Sequence, residues 1–227
     1  MLEQVRGGLI VSCQALPNEP LHSSFIMGRM ARAAAEGGAV GIRANTPEDI
    51  AEIAKNTTLP IIGIVKRDYD DSPIYITPTM REIHELAQSP CSMIAFDATD
   101  RPRPQGQSLE DFFHAARAAA PDKLLMADIA TLDEAIRAAQ MGFDCVSTTL
   151  MGYTEQSEGQ NIADDDFARL KAILAAVSIP VIAEGHVDTP AKARRCIDLG
   201  AHAVVTGGAI TRPQLITKTF TDAIYAK

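Results

Sequence analysis

Tryptophan is absent from this chain, and aromatic residues make up only 5% of it. A core built on aromatic stacking is thereby excluded. The 46% hydrophobic share must instead come mostly from Ala, Ile, Leu and Val, the small aliphatic side chains that pack helices onto parallel strands. Nowhere do about 18 apolar residues run together, so no membrane-spanning helix is expected. The start, Met1-Leu2-Glu3-Gln4-Val5-Arg6-Gly7-Gly8, lacks the pattern of a secretory signal. A cytoplasmic location is expected. Cysteine is scarce: Cys13, Cys91, Cys145 and Cys196 show no Cys-x-x-Cys spacing and lie in or beside apolar segments. They read as buried free thiols in a reducing compartment. Basic charge is in deficit, with a formal net charge of -8. Nucleic acid is an unsuitable partner for such a surface, because its binding relies on Lys and Arg neutralising phosphates. A small anionic substrate stays compatible, since a local site can be positive on an acidic protein. No His/Asp cluster has metal-ligand spacing, so no metal is expected. His22 and His202 are isolated, and His84 and His114 fall on helical patterns that place them at the surface. Only His186 is well placed for a site. Linkers and low-complexity stretches are missing too. The short Pro-rich piece Arg101-Pro102-Arg103-Pro104-Gln105-Gly106 fits a strand-to-helix loop, and residues 1–227 read as one domain.

Short apolar runs are present from end to end, alternating with helical patterns. They are Leu9–Val11, Val40–Ile42, Ile61–Val65, Met93–Phe96, Leu124–Met126, Cys145–Val146, Val181–Ala183 and Ala203–Val205. Being continuous rather than alternating, they predict parallel strands covered by helices. Thr46-Pro47 and Thr189-Pro190 each supply an N-cap followed by Pro at the first helical position. Thr131-Leu132-Asp133-Glu134 reads as a capping box. Gly37-Gly38, Gly142 and Gly200 stop helices just before strands. Repeated βα units with right-handed crossovers form an open sheet or a closed ring. Eight such units favour a (β/α)8 barrel of the TIM type. No Gly-x-Gly-x-x-Gly comes after the first run, which counts against a dinucleotide-binding sheet.

In this fold chemistry sits at the carboxyl ends of the strands. The residues at or just beyond the ends of the eight runs are Gln14, Arg43, Lys66, Asp97, Asp128, Ser147 with Thr148 and Thr149, Glu184, and Thr206 with Gly207-Gly208. A closed ring brings these groups to one mouth. A partly desolvated lysine there, Lys66, has a lowered pKa and can exchange a proton near neutral pH or form a Schiff base. A carboxylate in an apolar mouth, Glu184, has a raised pKa and suits general acid/base work. They come from the third and seventh strands, on opposite sides of the ring. A carbon held between them would present a different face to each. Gly185 lies just beyond the seventh strand and Gly207-Gly208 just beyond the eighth. A short extra helix starting at Gly208 would aim free N–H groups at an anion, with Arg212 adding charge. That pattern points to a bound phosphate.

Several blocks resemble the bacterial N-acetylmannosamine-6-phosphate 2-epimerases of sialic acid breakdown. They are Gly7-Gly8-Leu9-Ile10-Val11-Ser12-Cys13-Gln14, Gly63-Ile64-Val65-Lys66-Arg67-Asp68-Tyr69 with Asp71-Ser72-Pro73-Ile74-Tyr75-Ile76-Thr77, Phe96-Asp97-Ala98-Thr99-Asp100-Arg101-Pro102-Arg103-Pro104, Met126-Ala127-Asp128, Gly152-Tyr153-Thr154, Ala183-Glu184-Gly185 and Gly207-Gly208-Ala209-Ile210-Thr211-Arg212-Pro213. The similarity runs nearly the whole chain, in order. It implies interconversion of N-acetylmannosamine 6-phosphate and N-acetylglucosamine 6-phosphate, with no organic cofactor and with a homodimeric assembly. By that resemblance Lys66 and Glu184 are catalytic. Gln14, Arg43 and Asp128 match its sugar-binding positions, and Gly185, Gly207, Gly208 and Arg212 its phosphate side; from their places at the barrel mouth, Tyr153 and Thr148 are added to the sugar site and His186 to the phosphate site. The chain departs from the family pattern twice. His186 stands where relatives often carry Arg, which would make a phosphate contact there weaker or pH-dependent. Ala130 replaces a more usual hydroxyl residue near Asp128.

The implied chemistry is proton exchange at C2 of the open-chain sugar, with Lys66 and Glu184 on the two faces. Lys66, Arg43 or Gln14 would donate to the enolate oxygen, and the phosphate would hold the chain still. Two other readings compete: aldolase-like cleavage through a Schiff base on Lys66, and a phosphosugar-binding protein without turnover. Charged groups at the strand ends favour the enzyme readings.

Overall fold

A computed structural model describes residues 1–226. Its strands are β1 (Leu9–Cys13), β2 (Gly41–Asn45), β3 (Ile61–Ile64), β4 (Met93–Asp97), β5 (Leu124–Asp128), β6 (Cys145–Ser147), β7 (Val181–Ala183) and β8 (Ala203–Thr206). They close into one ring in sequence order, β8 pairing with β1, and every pairing is parallel. The (β/α)8 barrel expected from the apolar runs is therefore present. The helices are α1 (Leu2–Val5), α2 (Ser24–Glu36), α3 (Pro47–Asn56), α4 (Met80–Ala87), α5 (Leu109–Ala119), α6 (Leu132–Met141), α7 (Asp164–Ala176), α8 (Pro190–Asp198), α9 (Gly208–Thr211) and α10 (Pro213–Tyr225).

Local chemistry sets the helix ends. Thr46 accepts from the Asp49 N–H ahead of Pro47, and Thr189 accepts from the Lys192 N–H ahead of Pro190. Thr131 and Glu134 form the expected capping box, which satisfies two N–H groups that a helix start leaves free. Two apolar layers result. Side chains of one parity fill the barrel: Ile10, Ile62, Ile64, Met93, Ala95, Met126, Cys145, Ile182, Ala203 and Val205 are all buried there. The opposite parity, including Val11, Ile42, Ile94, Phe96, Leu125, Val146 and Val204, packs under the helices. Helix α1 plugs the amino end, where Val5 joins the inner layer and His202 bonds to the Leu2 carbonyl oxygen. All four cysteines are buried free thiols.

Two features depart from plain repetition. The β3-to-α4 connection folds into a hairpin, with antiparallel bridges at Lys66–Ile76 and Tyr69–Ser72. Arg67 pairs with Glu82 and Glu85 of α4, and the Tyr69 hydroxyl donates to Glu82 at 2.9 Å. The hairpin is thus tied down over the barrel mouth. Helix α10, by contrast, buries none of its side chains and touches the body chiefly through α9. Between α8 and α9 an apolar groove, lined by Leu9, Ala193, Ile197, Val204 and Ile210, lies open over β1 and β8.

Candidate active site

The carboxyl ends of the strands enclose a cavity of about 780 Å³. Ser12, Gln14, Arg43, Lys66, Tyr75, Thr149, Tyr153, Glu184, His186 and Arg212 face it, with the backbone of Gly185, Gly207 and Gly208. Lys66 and Glu184 therefore share one cavity.

Lys66 is held by its backbone. Its N–H donates to Asn45 Oδ1 at 2.8 Å, and its bridge to Ile76 begins the hairpin. The ammonium group stands 6.0 Å from the centre of the Tyr75 ring. Burial lowers its pKa to about 8, helped by the positive charges of Arg43 and Arg212.

Glu184 comes directly after β7. Its Oε2 accepts from Arg43 Nη1 at 3.1 Å, from Thr149 Oγ1 at 3.0 Å and from Ser147 Oγ at 3.3 Å. Burial raises its pKa, with Arg43 opposing that rise and Asp128 adding to it. Arg43 lies within β2 rather than beyond it, and is 1% exposed. It forks onto Asp128, Nη1 to Oδ1 at 3.1 Å and Nη2 to Oδ2 at 2.5 Å. Burial works against its charge, but Asp128 and Glu184 more than offset this and hold its pKa above the ordinary value. One cation thus bridges two buried carboxylates.

Two residues assigned to the sugar, Thr148 and Asp128, are not among those that line the cavity. Thr148 is fully buried and turned out of the barrel; its hydroxyl donates to the Glu184 carbonyl oxygen at 2.7 Å and accepts from the Glu184 N–H at 3.0 Å. It fixes the backbone that carries Glu184, and its neighbour Thr149 is the hydroxyl that faces the cavity. Asp128 is also fully buried and lies behind Arg43, outside the cavity wall. Gln14 does face the cavity. Its Nε2 donates to Ser12 Oγ at 2.7 Å, and its buried Oε1 has no protein partner. Asp97 turns aside to Thr99 and Arg101.

At the β7–β8 side, Gly207 leads into α9, the short helix expected from Gly208. Among the described residues, the N–H groups of Gly208 and Ala209 have no protein acceptor. Arg212 lines the cavity, yet its guanidinium is shared with Glu19 of the β1–α2 loop, Nη2 donating to Oε2 at 3.0 Å. Glu19 was not among the residues expected from the sequence, and no local pattern marks it. His186 has φ of 55° and stacks on Tyr153, ring centres 4.8 Å apart. Gly152 makes room for that stack: a Cβ there would lie 2.8 Å from His186 Nε2 and 2.3 Å from the Gln160 oxygen. Among the described residues no His, Cys, Asp and Glu side chains group as a metal site requires.

Residues 27–226 match the family model described as "Putative N-acetylmannosamine-6-phosphate epimerase". The chain belongs to this family. A relative from Enterobacter sp. (strain 638), named "Putative N-acetylmannosamine-6-phosphate 2-epimerase", is 59% identical over 226 residues, covering 100% of this chain and 96% of the relative. One with the same name from Oceanobacillus iheyensis is 59% identical over 220 residues, 97% of this chain and 99% of the relative. The solved structure of the N-acetylmannosamine-6-phosphate 2-epimerase from Clostridium perfringens superposes with a TM-score of 0.93 at 57% identity, covering 98% of this chain and 96% of that one. Thiamine phosphate pyrophosphorylase from Pyrococcus furiosus, at 16% identity and a TM-score of 0.61, shares the fold alone.

Proposed function

We propose that the chain is an epimerase that interconverts N-acetylmannosamine 6-phosphate and N-acetylglucosamine 6-phosphate. The observation that carries the reading is the shared cavity, where an amine with a pKa of about 8 and a carboxyl with a raised pKa come from β3 and β7. Inversion at C2 needs a proton removed from one face and returned to the other. The hydrogen at C2 is acidic while C1 is a carbonyl, so the open-chain sugar reacts. Lys66 and Glu184 exchange the two protons. When one takes a proton from C2, an enolate forms with its charge on the C1 oxygen. Arg43, Gln14 or the protonated form of Lys66 stabilises that oxygen. The other residue then delivers a proton to the opposite face, and the carbonyl re-forms. Neither step calls for an organic cofactor.

The phosphate belongs beside Gly185, His186, Gly207, Gly208 and Arg212. Free N–H groups at the start of α9 suit an anion. Tyr153 and Gln14 are the remaining wall residues assigned to the sugar. The reaction fits amino-sugar breakdown in the cytoplasm. A homodimer accords with the unburied apolar side chains of α10, which a second copy would cover.

Incubation with N-acetylmannosamine 6-phosphate, and then proton NMR, tests the activity. N-acetylglucosamine 6-phosphate should accumulate to an equilibrium reached equally from the other epimer. Cleavage to smaller fragments, or trapping of the substrate on Lys66 by borohydride, would favour the aldolase reading instead. Saturable binding without any product would leave only a binding protein.

A further inference from the structure

Thr149 Oγ1 stands between the two carboxylates of the site. It is 2.7 Å from Asp128 Oδ1, 3.0 Å from Glu184 Oε2 and 2.8 Å from Ser147 Oγ. A hydroxyl has one proton to give. Thr149 therefore donates to one carboxylate at a time. Asp128 has little need of it, because both arms of the Arg43 fork already reach that carboxylate. Glu184 is held more lightly, by one Arg43 nitrogen at 3.1 Å and Ser147 at 3.3 Å. Arg43, among the described residues the one cation bonded to both carboxylates, carries a single charge against two, and Lys66 shares the cavity without bonding to either. Glu184, the carboxylate that lines the cavity, is the one free to change charge. All its protein bonds fall on Oε2, so Oε1 is open to hold or release a proton.

We propose that Thr149 is a positioning residue that lets Glu184 alternate between its two forms: the single hydroxyl proton turns to Glu184 when that group is ionised, and to Asp128 when it is protonated. Either way the hydroxyl proton is used, adding to Arg43 on Asp128 Oδ1 or to Arg43 and Ser147 on Glu184 Oε2, so the extra donor follows the carboxylate that carries the unmet charge. The inference rests on the epimerase reading, because it matters only if Glu184 cycles. Thr149 itself exchanges no proton with the substrate.

Thr149→Val keeps the shape and removes the proton. Ionised Glu184 then loses a donor, so its carboxyl titrates at higher pH. The acid limb of the kcat/KM profile should move up by about one pH unit, a tenfold loss on the acid side. KM should stay close to the wild-type value well above that limb. Thr149→Ser should return the limb to its original place. A merely structural threonine would lower activity evenly across pH. Carbon-13 NMR titration of labelled Glu184 in the substrate-free protein reads the same shift without turnover, and Thr149→Ala serves if the Val variant does not fold. An unshifted limb and an unshifted Glu184 titration in folded variants would overturn the inference, as would failure of Ser to restore it. No turnover by the wild type at any pH would instead sink the epimerase reading.

Discussion

At the level of single residues, two titrating groups set the pH behaviour. One assignment needs neutral Lys66 and protonated Glu184; the reverse needs charged Lys66 and ionised Glu184. Both carry the same number of protons on the pair, so both give the same bell-shaped profile. With Lys66 held down to about 8, kcat/KM should fall as pH rises past that value. With Glu184 raised by burial, the acid limb should lie above the ordinary range of a glutamate. A profile flat from pH 6 to about 10 would contradict these pKa shifts. Much of the site is legible in sequence because side-chain parity carries it. Ile62, Ile64 and Lys66 share one parity along β3 and just past its end, as Ile182 and Glu184 do along β7 and just past it. Parity also separates Thr149 from Thr148: Cys145, Ser147 and Thr149 face inward, and Thr148 faces out. By that period Thr148 has the parity of the outer layer. Glu19 is illegible for a different reason. It meets Arg212 across 193 positions of sequence, and only the closed ring brings them together.

Among the elements, the strands were readable as apolar runs, though their ends were not. β2 continues through Arg43 to Asn45, and β4 and β5 each end on an aspartate, because polar residues at the barrel mouth still pair in the ladder. The hairpin after β3 gives no such signal. It is made by Arg67 and Tyr69 reaching Glu82 of α4, and by Ser72 and Arg101 joining it to the β4–α5 loop. Gly63 shows how tightly β3 fits its neighbours. An added Cβ would sit 3.0 Å from both Ile50 and Leu86 and 3.1 Å from Cys91. All three belong to the packed layer beneath α3 and α4. Gly63→Ala should therefore destabilise the barrel by about 1–3 kcal/mol, the usual penalty of overpacking. Thermal denaturation would show it as a melting point lower by roughly 2–12 °C for a chain of this size. An unchanged melting point would mean that the layer yields freely. The strand leads directly to Lys66, two residues beyond its end, so activity should fall along with stability.

For the molecule as a whole, the barrel leaves an apolar face of α10 uncovered. Phe220 is 66% exposed and Ile224 71%, one turn apart on α10. Such neighbours at i and i+4 normally mark a face that packs on something. A dimer covering that face predicts that Phe220→Glu with Ile224→Glu sediments as a monomer at concentrations where the parent chain is a dimer. A monomeric parent at tens of micromolar would contradict the assembly.

The whole arrangement has one purpose in this account: to hold a carbon between an amine and an acid. Proton NMR of the reaction in heavy water tests that most directly. Solvent deuterium should enter C2 of the product epimer, since Lys66 and Glu184 both exchange their protons with water between turnovers. Product formed with its C2 hydrogen wholly retained would contradict the account.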